Sequence, residues 1–507
     1  MTVLEMGSAG FGDRVVCTVH RRNATTDELM ERARAGAALI KEVGAAHVAY
    51  VGVNHLAFPV ALFSSAWAGV PFLPLNYRLG DEQLQRLLAN HEDVLIIADD
   101  QAALRLRGAP GTLITADEFL ERTQPAPAEG STADDATVDP WDDDPDEIAI
   151  ILYTSGTTSE PKAAVLRHRH LLAYLLGSLD FASAEETDAT LVSVPPYHIA
   201  GVTNLLSNLY IGRRVVYVEA FDAGDWLKIA NAEAVTHAMV VPTMLARIVD
   251  RLGDATDASE PALPALRSLA YGGARMPSSV VERALELLPT TDFVNAYGLT
   301  ETSSTIAVLG PEDHRKAMDS GDPASRKRLG SAGMILPGIE IEVRDEQGAV
   351  LPPDGVGSLW VRGEQVAGEY LGRGSQLDAE GWFPTGDQGW VDAEGYLFVE
   401  GRADDTIIRG GENIAPAEIE DVIIRHPAVE EAAVVGVPDD EWGQRIVAVV
   451  VLRPDASASA DEIREWVRET LRGSKTPDEV LFRSELPHTD TGKLLRRQLL
   501  AELVDRP

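Results

Sequence analysis

A run of hydroxyl side chains that ends in a lysine is the most suggestive chemical feature of the sequence. Residues 153–163 read YTSGTTSEPKA and follow the apolar run 148–153. Hydroxyl and backbone N–H groups donate hydrogen bonds to phosphate oxygens, a lysine adds positive charge, and a glycine lets the backbone approach a ligand closely. The Walker pattern is absent. We predict a polyphosphate site between a buried strand and a helix over about 167–179, with a solvated Ser/Thr-rich turn as the simpler alternative.

Three further tracts carry groups that suit a nucleotide. Residues 295–301, NAYGLTE, place an amide, an aromatic ring and a carboxylate close together, which can hydrogen-bond a purine edge, stack on its face and bind Mg²⁺ on a phosphate. Asp387 can accept both hydroxyls of a ribose, and Arg402 can donate to the same sugar or to phosphate. Lys493 lies in a TDTGK turn near the C-terminus. Each tract alone could be a polar turn or a surface ion pair.

The elements that would position these residues fall into three regions. From Val48 to about residue 335, short apolar runs alternate with helical stretches, a pattern typical of β/α units that feed a mostly parallel sheet. Short strands and turns follow over about 335–400, and then a compact tail of strands and helices. We predict an α/β fold with a large N-terminal domain of α/β layers over 1–402, including a small β-rich subdomain, and a small α+β domain over 403–507.

Composition and charge narrow the classes of protein. The net charge of −36 disfavours nucleic acid and anionic membranes as partners. Cys17 is the single cysteine, which excludes an internal disulfide and leads us to expect a cytoplasmic protein. No stretch approaches the roughly 18 apolar residues of a membrane span. The oligomeric state stays open, with a homodimer as one option.

Taken together, eight tracts resemble the family of acyl-CoA synthetases, luciferases and nonribosomal adenylation domains, also called AMP-binding or adenylate-forming enzymes. The resemblance covers the chain from about residue 30 to the end. The tracts are AGV with PLNYRL (68–79), YTSGTTSEPKA (153–163), PYH (196–198), YGGA (271–274), NAYGLTE (295–301), TGD (385–387), GRADD (401–405) and TGK (491–493).

The resemblance implies a role for each matched residue. Adenine would pack on Tyr297 while Asn295 binds its amino group, Thr300 would contact the α-phosphate, and Glu301 would hold Mg²⁺. Lys493 would bridge the carboxylate and the α-phosphate. The nucleotide-binding set it implies is Thr154, Ser155, Gly156, Thr157, Thr158, Lys162, Gly273, Ala274, Asn295, Ala296, Tyr297, Asp387 and Arg402, and the catalytic set is Lys493, Thr300, Glu301 and His198.

The same resemblance implies a ligase that uses ATP, Mg²⁺ and coenzyme A. A carboxylic acid and ATP would give acyl-AMP and pyrophosphate, and coenzyme A would then displace AMP. The C-terminal domain would be mobile and would rotate about a hinge at Asp404, which withdraws Lys493 and presents Gly410 and Gly411 to coenzyme A.

The acid would lie in a pocket lined by His198, His237, Gly272 and Gly298. For His198, a hydrogen-bonded core histidine is an equal alternative. Relatives that activate amino acids carry a Phe-Asp pair here, whereas this chain reads PYHIAG over 196–201. The missing carboxylate argues for a plain fatty, aryl or polycyclic acid, and the sequence does not choose among them.

Two departures from the family pattern keep other functions open. Ser159 and Ala163 replace glycines of the phosphate loop, and a Cβ there would cost about 1 kcal/mol if either position needs a positive φ. Tolerated variation is one interpretation. The alternatives are an enzyme with weakened or lost adenylation that only converts preformed acyl-AMP to a thioester, acyl transfer to a carrier protein, and a non-catalytic nucleotide-binding or acyl-AMP-binding protein.

Overall fold

A computed structural model describes residues 2–20, 22–125, 144–154, 161–253, 263–409, 412–439, 442–471, 473–489 and 494–504. Several residues singled out in the sequence lie outside the described residues, and these are Ser155, Gly156, Thr157, Thr158, Ser159, Gly410, Gly411 and Lys493.

The first described stretch alternates helices and strands. A capping box between Thr25 and Glu28 begins the second helix, because each residue's side chain bonds the other's backbone N–H. The elements are α1 (Thr2–Phe11), β1 (Val15–Val19), β2 (Arg22–Thr25), α2 (Thr26–Glu42), β3 (His47–Val51), α3 (Ala57–Ala68), β4 (Phe72–Pro74), α4 (Asp81–Ala89), β5 (Val94–Ala98), α5 (Asp100–Arg105), β6 (Thr112–Thr115) and α6 (Ala116–Arg122).

The next stretch continues the alternation and contains most of the tracts discussed above. A single-turn 3-10 helix, Thr300–Thr302, joins its last two strands. The elements are β7 (Ile148–Thr154), β8 (Lys162–Arg167), α7 (His168–Ser178), β9 (Ala189–Val192), α8 (Ile199–Ile211), β10 (Arg214–Tyr217), α9 (Ala223–Ala232), β11 (His237–Val240), α10 (Pro242–Gly253), β12 (Ser268–Gly272), α11 (Ser278–Leu287), β13 (Asp292–Leu299), β14 (Ser304–Leu309), α12 (Pro311–Asp319) and α13 (Pro323–Lys327).

The remaining elements are β-rich at first and mixed near the C-terminus. A 3-10 turn, Ala403–Asp405, separates the two parts. The elements are β15 (Gly333–Ile335), β16 (Glu340–Arg344), β17 (Gly357–Arg362), β18 (Glu369–Tyr370), β19 (Gly374–Ser375), β20 (Phe383–Val391), β21 (Tyr396–Arg402), β22 (Ile407–Arg409), β23 (Glu412–Ile414), α14 (Pro416–Ile424), β24 (Val429–Asp439), β25 (Gly443–Leu452), α15 (Ala460–Thr470), β26 (Glu479–Arg483) and α16 (Arg496–Val504).

Two large sheets organise the N-terminal part. Within the described residues their strand orders are β16-β17-β20-β21-β15-β14-β13-β12-β11-β9-β10-β1-β2 and β19-β18-β8-β7-β4-β3-β5-β6. Their shared core includes Ile150 and Leu191 from the two sheets and Phe58 and Leu205 from α3 and α8. Strands β10, β9, β11, β12 and β13 run parallel, so their carboxyl ends meet at one edge of the larger sheet.

The C-terminal part has its own core. The sheet β24-β25-β26 buries Val434 and Val450 with α14 and α15 on one face, and Val435 and Val449 with Leu499 of α16 on the other. This separate core confirms the predicted fold class, a large α/β domain followed by a small α+β domain. The boundary at 402 and 403 stays a prediction. No helix in the described part of the chain combines the length and apolarity needed to cross a membrane.

The helix predicted over about 167–179 is confirmed as α7, but the predicted direct connection from the phosphate loop to this helix is wrong, because a strand lies between them. Lys162 begins β8, which pairs antiparallel with β7, with Thr154 opposite Lys162, and α7 begins only at His168. The run KAAVLR pairs with β7 because its residues at positions 164–166 are apolar and become buried in the second sheet. The loop therefore connects two strands, and no helix N-terminus follows it directly.

Candidate active site

The carboxyl edge of the larger sheet brings together several tracts that are distant in sequence. Gly272 ends β12 in register with Ala296 of β13, and the turn Thr300–Thr302 follows β13. His198 precedes α8, beyond the carboxyl end of β9. Ligands of open parallel sheets bind outside this edge.

Two close backbone approaches explain the glycines at this edge. A Cβ on Gly298 would lie 1.8 Å from the carbonyl oxygen of Ser304, and a Cβ on Gly272 would lie 2.3 Å from that of Ala296. Gly273 has φ +83°, a conformation that side chains with a Cβ rarely adopt. At this edge the backbone of Gly272 and Gly273, just before Ala274, is therefore not covered by side chains of its own.

Asn295 offers one free acceptor. Its Nδ2 donates to the carbonyl oxygen of Ser331 at 2.8 Å, which orients the amide and leaves Oδ1 without a partner among the described residues. An acceptor with this fixed orientation fits the exocyclic amino group of adenine.

Tyr297, Asp387 and Arg402 form a hydrogen-bonded triad. The Tyr297 hydroxyl donates to Asp387 Oδ2 at 2.6 Å, and Arg402 Nε lies 3.0 Å from Asp387 Oδ1. Asp387 sits within β20 opposite Arg402 of β21, and both bond Thr385. Burial, with Asp387 beside it, raises the pKa of Tyr297 well above its ordinary value, so the phenol remains a donor.

Tyr370 connects Glu301 with Lys162, a contact that the sequence analysis did not anticipate. Its hydroxyl donates to Glu301 Oε1 at 2.6 Å, and Lys162 Nζ lies 5.3 Å from the centre of its ring. The backbone N–H groups of Ala367 and Gly368 donate to the Glu301 carbonyl oxygen at 2.8 and 3.1 Å. Burial, followed by Glu301, raises the pKa of Tyr370, which keeps it a donor.

Strained backbone follows Glu301 directly. Ser303 and Ser304 have φ values of 55° and 128°, and non-glycine residues rarely adopt positive φ. Thr302 Oγ1 bonds the Leu299 backbone and the Ser304 carbonyl, while Gln365 Nε2 donates to the Thr302 and Thr305 carbonyls at 2.9 Å each. Gln365 is a second positioning residue that the sequence analysis missed.

A magnesium ion on a phosphate fits this arrangement. Glu301 keeps Oε2 without a hydrogen bond among the described residues, and Mg²⁺ takes one or two carboxylates together with substrate phosphates and water. Across the described ranges no group of three or more His, Cys, Asp or Glu side chains could hold a metal ion alone. The donor set therefore suits an ion that a nucleotide shares.

The predicted acyl-pocket residues lie at two levels of the sheet. Gly272, Gly298 and His198 lie at the carboxyl edge, whereas His237 begins β11 opposite Ser268. Four residues of strand separate that level from Gly272, or about 13 Å at 3.3 Å per residue. His237 would thus lie far from the reacting carboxylate.

Ala163 shows no backbone strain. It lies in β8 opposite Tyr153 without a positive φ, and its side chain packs beside the core that contains Ile151. The extra Cβ therefore occupies ordinary space in a strand. The Thr154 hydroxyl donates to the Lys162 carbonyl at 3.4 Å across the same pair of strands.

The predicted hinge lies in the 3-10 turn between the two parts. Asp404 Oδ2 is 3.5 Å from Arg497 of α16, and Asp405 lies 3.9 Å from Arg496. A further ion pair joins Arg275, which follows the Gly272–Ala274 turn, to Asp421 of α14. The small domain thus contacts the edge of the sheet that carries the candidate site.

Comparisons with known proteins agree in family and architecture. A family model described as AMP-binding enzyme matches residues 4–371, and one described as AMP-binding enzyme C-terminal domain matches 418–493. A feruloyl-CoA synthase of an Amycolatopsis species is 34% identical, over 89% of this chain and 88% of the relative. A 2-succinylbenzoate–CoA ligase of Bacillus mycoides is 32% identical, over 96% and 95%.

Further matches include a different acyl acceptor and solved structures. A fatty acid–[acyl-carrier-protein] ligase of Streptomyces coeruleorubidus is 32% identical, over 94% of this chain and 91% of the relative. The o-succinylbenzoate CoA synthetase of Bacillus subtilis in complex with its acyl-adenylate has a TM-score of 0.82 at 28% identity, covering 98% of this chain and 97% of that one. The same enzyme with ATP and magnesium gives 0.81 at 28% identity, covering 98% of each chain.

Proposed function

Because this chain belongs to the family of AMP-binding enzymes and is an AMP-forming acid–thiol ligase, we propose that it converts an aromatic carboxylic acid into its coenzyme A thioester through acyl-AMP. The observation that carries the proposal is the convergence of Asn295, Tyr297, Asp387 and Glu301 at one edge of the sheet. ATP, Mg²⁺ and coenzyme A are its co-reactants, as in its relatives.

In the first step an oxygen of the acid attacks the α-phosphorus and the bond to the β-phosphate oxygen breaks, which releases pyrophosphate. The free Oδ1 of Asn295 and the ring of Tyr297 would hold adenine, and Asp387 with Arg402 would hold the ribose. Mg²⁺ bound beside Glu301 would neutralise charge on the leaving pyrophosphate. Lys493 would stabilise charge on the attacked phosphate.

In the second step the thiolate of coenzyme A attacks the acyl carbon, and the bond to the AMP oxygen breaks. The proposed rotation about Asp404 would remove Lys493 and admit the thiol beside Gly410 and Gly411. Among the described residues one ion pair, Arg275 with Asp421, joins the small domain to the large one, and a rotation can break a single surface pair at little cost.

The choice of an aromatic acid rests on two relatives. The feruloyl-CoA synthase and the 2-succinylbenzoate–CoA ligase, both named for aromatic acids, each match about nine-tenths of the chain or more. The segment 196–201 carries no carboxylate for a substrate ammonium group, which argues against amino acids. Fatty and polycyclic acids are the competing substrates.

A carrier-protein acceptor is the second candidate. The relative named as a fatty acid–[acyl-carrier-protein] ligase matches at 32% identity, comparable to the relatives that use coenzyme A. The candidate that accepts only preformed acyl-AMP is weakened, since Ala163 sits in regular strand geometry.

Exchange of labelled pyrophosphate into ATP tests the first step by itself. We expect exchange that depends on both Mg²⁺ and an aromatic acid, and that a Glu301→Gln variant slows at least tenfold. Thioester formation from synthetic acyl-AMP without any exchange would instead support the enzyme limited to the second step. Transfer to a phosphopantetheinylated carrier protein but not to coenzyme A would support the second candidate.

A further inference from the structure

A row of partly exposed side chains lies on the face of β11 and β12 that packs towards α8, and we call this strip the groove. On β11 and β12 alternate residues, His237, Met239, Ser268 and Ala270, stay partly exposed, whereas those between them are buried against the other face. Asn204 of α8 faces Met239, with 3.8 Å between Nδ2 and Sδ. Side chains of interior strands keep accessible surface only where the layer above leaves space.

The two ends of the groove differ in chemistry. At the carboxyl edge, Thr203 of α8 bonds Ser304 at 3.0 Å, next to Glu301 and Gly298. At the opposite end, Arg213 follows α8 and donates from Nη1 to Asn208 Oδ1 at 3.0 Å, and His237 Nδ1 bonds Thr236 at 2.8 Å. The far end is therefore polar and cationic.

Arg213 is short of partners. Its Nε is buried without a hydrogen bond, and no carboxylate in the described part of the chain forms an ion pair with it. The adjacent Arg214, by contrast, pairs with Glu233 at 2.7 Å. Burial lowers the pKa of Arg213 to about 10, which still leaves it charged at neutral pH. The Arg213 side chain is only partly buried, and apart from its bond to Asn208 it keeps guanidinium N–H groups that can bind an anionic ligand.

The neighbours of Arg213 are polar side chains that carry no charge at pH 7. Burial, followed by Arg213, lowers the pKa of His237 to about 4, so the imidazole is neutral at pH 7. Ser207 Oγ, one turn from Thr203 on α8, is likewise buried without a hydrogen-bond partner. Of Ser207, Asn208, Arg213 and His237, only Arg213 carries a formal charge at pH 7.

We propose that Arg213, oriented by Asn208 and lying beside His237, forms a subsite that binds a second carboxylate of the acid substrate, at the end of the groove opposite the reacting carboxylate. The inference rests on the proposed function. It names the substrate class as dicarboxylic acids whose two carboxylates are on the order of 10 Å apart, from the strand length between the two levels. A guanidinium binds a carboxylate through paired hydrogen bonds, which distinguishes it from a methyl or aryl end.

The test compares two ligands that differ only at the far end. Sulfamoyl-adenosine analogues of octanoyl-AMP and of 7-carboxyheptanoyl-AMP are titrated by calorimetry against the full chain, an Arg213→Met variant and an Arg213→Lys variant. Arg86→Met, an exposed change of equal charge on α4, is the control. We expect the carboxylated analogue to bind about 30-fold more tightly to the full chain and to Arg86→Met, as for a hydrogen bond to a charged group.

The preference should fall below about threefold in Arg213→Met and survive in part in Arg213→Lys. Thermal unfolding should show no loss of stability in Arg213→Met, because the arginine has no ionic partner to lose. Equal binding of both analogues to the full chain, or an unchanged preference in Arg213→Met, overturns the subsite alone. Failure of both analogues to bind the full chain likewise overturns the subsite, whereas the proposed function is tested separately by pyrophosphate exchange with aromatic acids.

Discussion

At the residue scale, the hydrogen bond between Tyr297 and Asp387 is the contact whose loss we expect to weaken nucleotide binding most. In Tyr297→Phe the ring stays and the hydrogen bond of 2.6 Å to Asp387 is lost. We expect the KM for ATP to rise about tenfold, since bonds to charged groups contribute roughly 1.5–3 kcal/mol and Arg402 still holds Asp387.

Tyr396 provides a matched control for that prediction. Its hydroxyl donates to Asp313 at 2.7 Å, away from the carboxyl edge that carries the site. Tyr396→Phe should lower the melting temperature by a few degrees at most and leave the KM for ATP unchanged. A similar rise in KM in both variants would mean that the Tyr297 bond acts only through stability.

Tyr370 supports the metal side of the site. Tyr370→Phe removes the donor to Glu301 Oε1 and keeps the ring beneath Lys162. We expect the Mg²⁺ concentration for half-maximal binding of MgATP, measured by fluorescence of a labelled nucleotide, to rise about five- to tenfold, because the carboxylate loses its orientation. Unchanged Mg²⁺ dependence would assign Tyr370 to packing only.

Sequence patterns identified Asn295, Tyr297 and Glu301 as site candidates, because all three lie in one short tract. Tyr370 could not be found in that way, since its partner Glu301 is 69 residues away. Gln365 donates to the carbonyls of Thr302 and Thr305, which flank the strained residues Ser303 and Ser304. Its role likewise follows only from the pairing of β13 with β14.

At the scale of elements, the turn between β13 and β14 depends on the close approach at Gly298. Gly298→Ala would place a Cβ 1.8 Å from the Ser304 carbonyl oxygen, so the turn that carries Glu301 must shift. We expect kcat/KM for pyrophosphate exchange to fall at least 100-fold.

Gly177→Ala is the control for this variant. Gly177 lies in α7 with nothing within 4 Å of its Cβ position, and the change should leave activity intact and add up to about 1 kcal/mol of stability. Full activity in Gly298→Ala would contradict the close approach at this turn.

The alternation of apolar runs with helical stretches predicted the parallel strands β9 to β13, because short apolar runs separated by helices are typical of β/α units. It failed at β8, where six residues between the phosphate loop and α7 are too few to separate a strand from the first turn of a helix. Residues 162–167 form a strand because they pair with β7, and this pairing depends on the tertiary structure.

At the scale of the whole molecule, two domains with separate cores must share one site. The tail was predicted as a separate α+β unit from its own apolar runs, but the ion pair of its Asp421 with Arg275 of the large domain could not be anticipated from spacing.

The hinge proposal predicts that one substitution separates the two steps. Asp404→Pro fixes φ near −65° in the turn Ala403–Asp405 and should restrict the rotation. We expect one half-reaction, either pyrophosphate exchange or thioester formation from synthetic acyl-AMP, to keep its rate within about threefold while the other falls at least 100-fold. Equal losses in both half-reactions would argue against a hinge at this position.

The most direct test of the central claim is a mass balance of the full reaction with MgATP, coenzyme A and a panel of aromatic, fatty and dicarboxylic acids. We expect that for at least one acid, AMP, pyrophosphate and the coenzyme A thioester form in equal amounts. Release of ADP, or AMP and pyrophosphate formed with no thioester to coenzyme A for any acid, would contradict it.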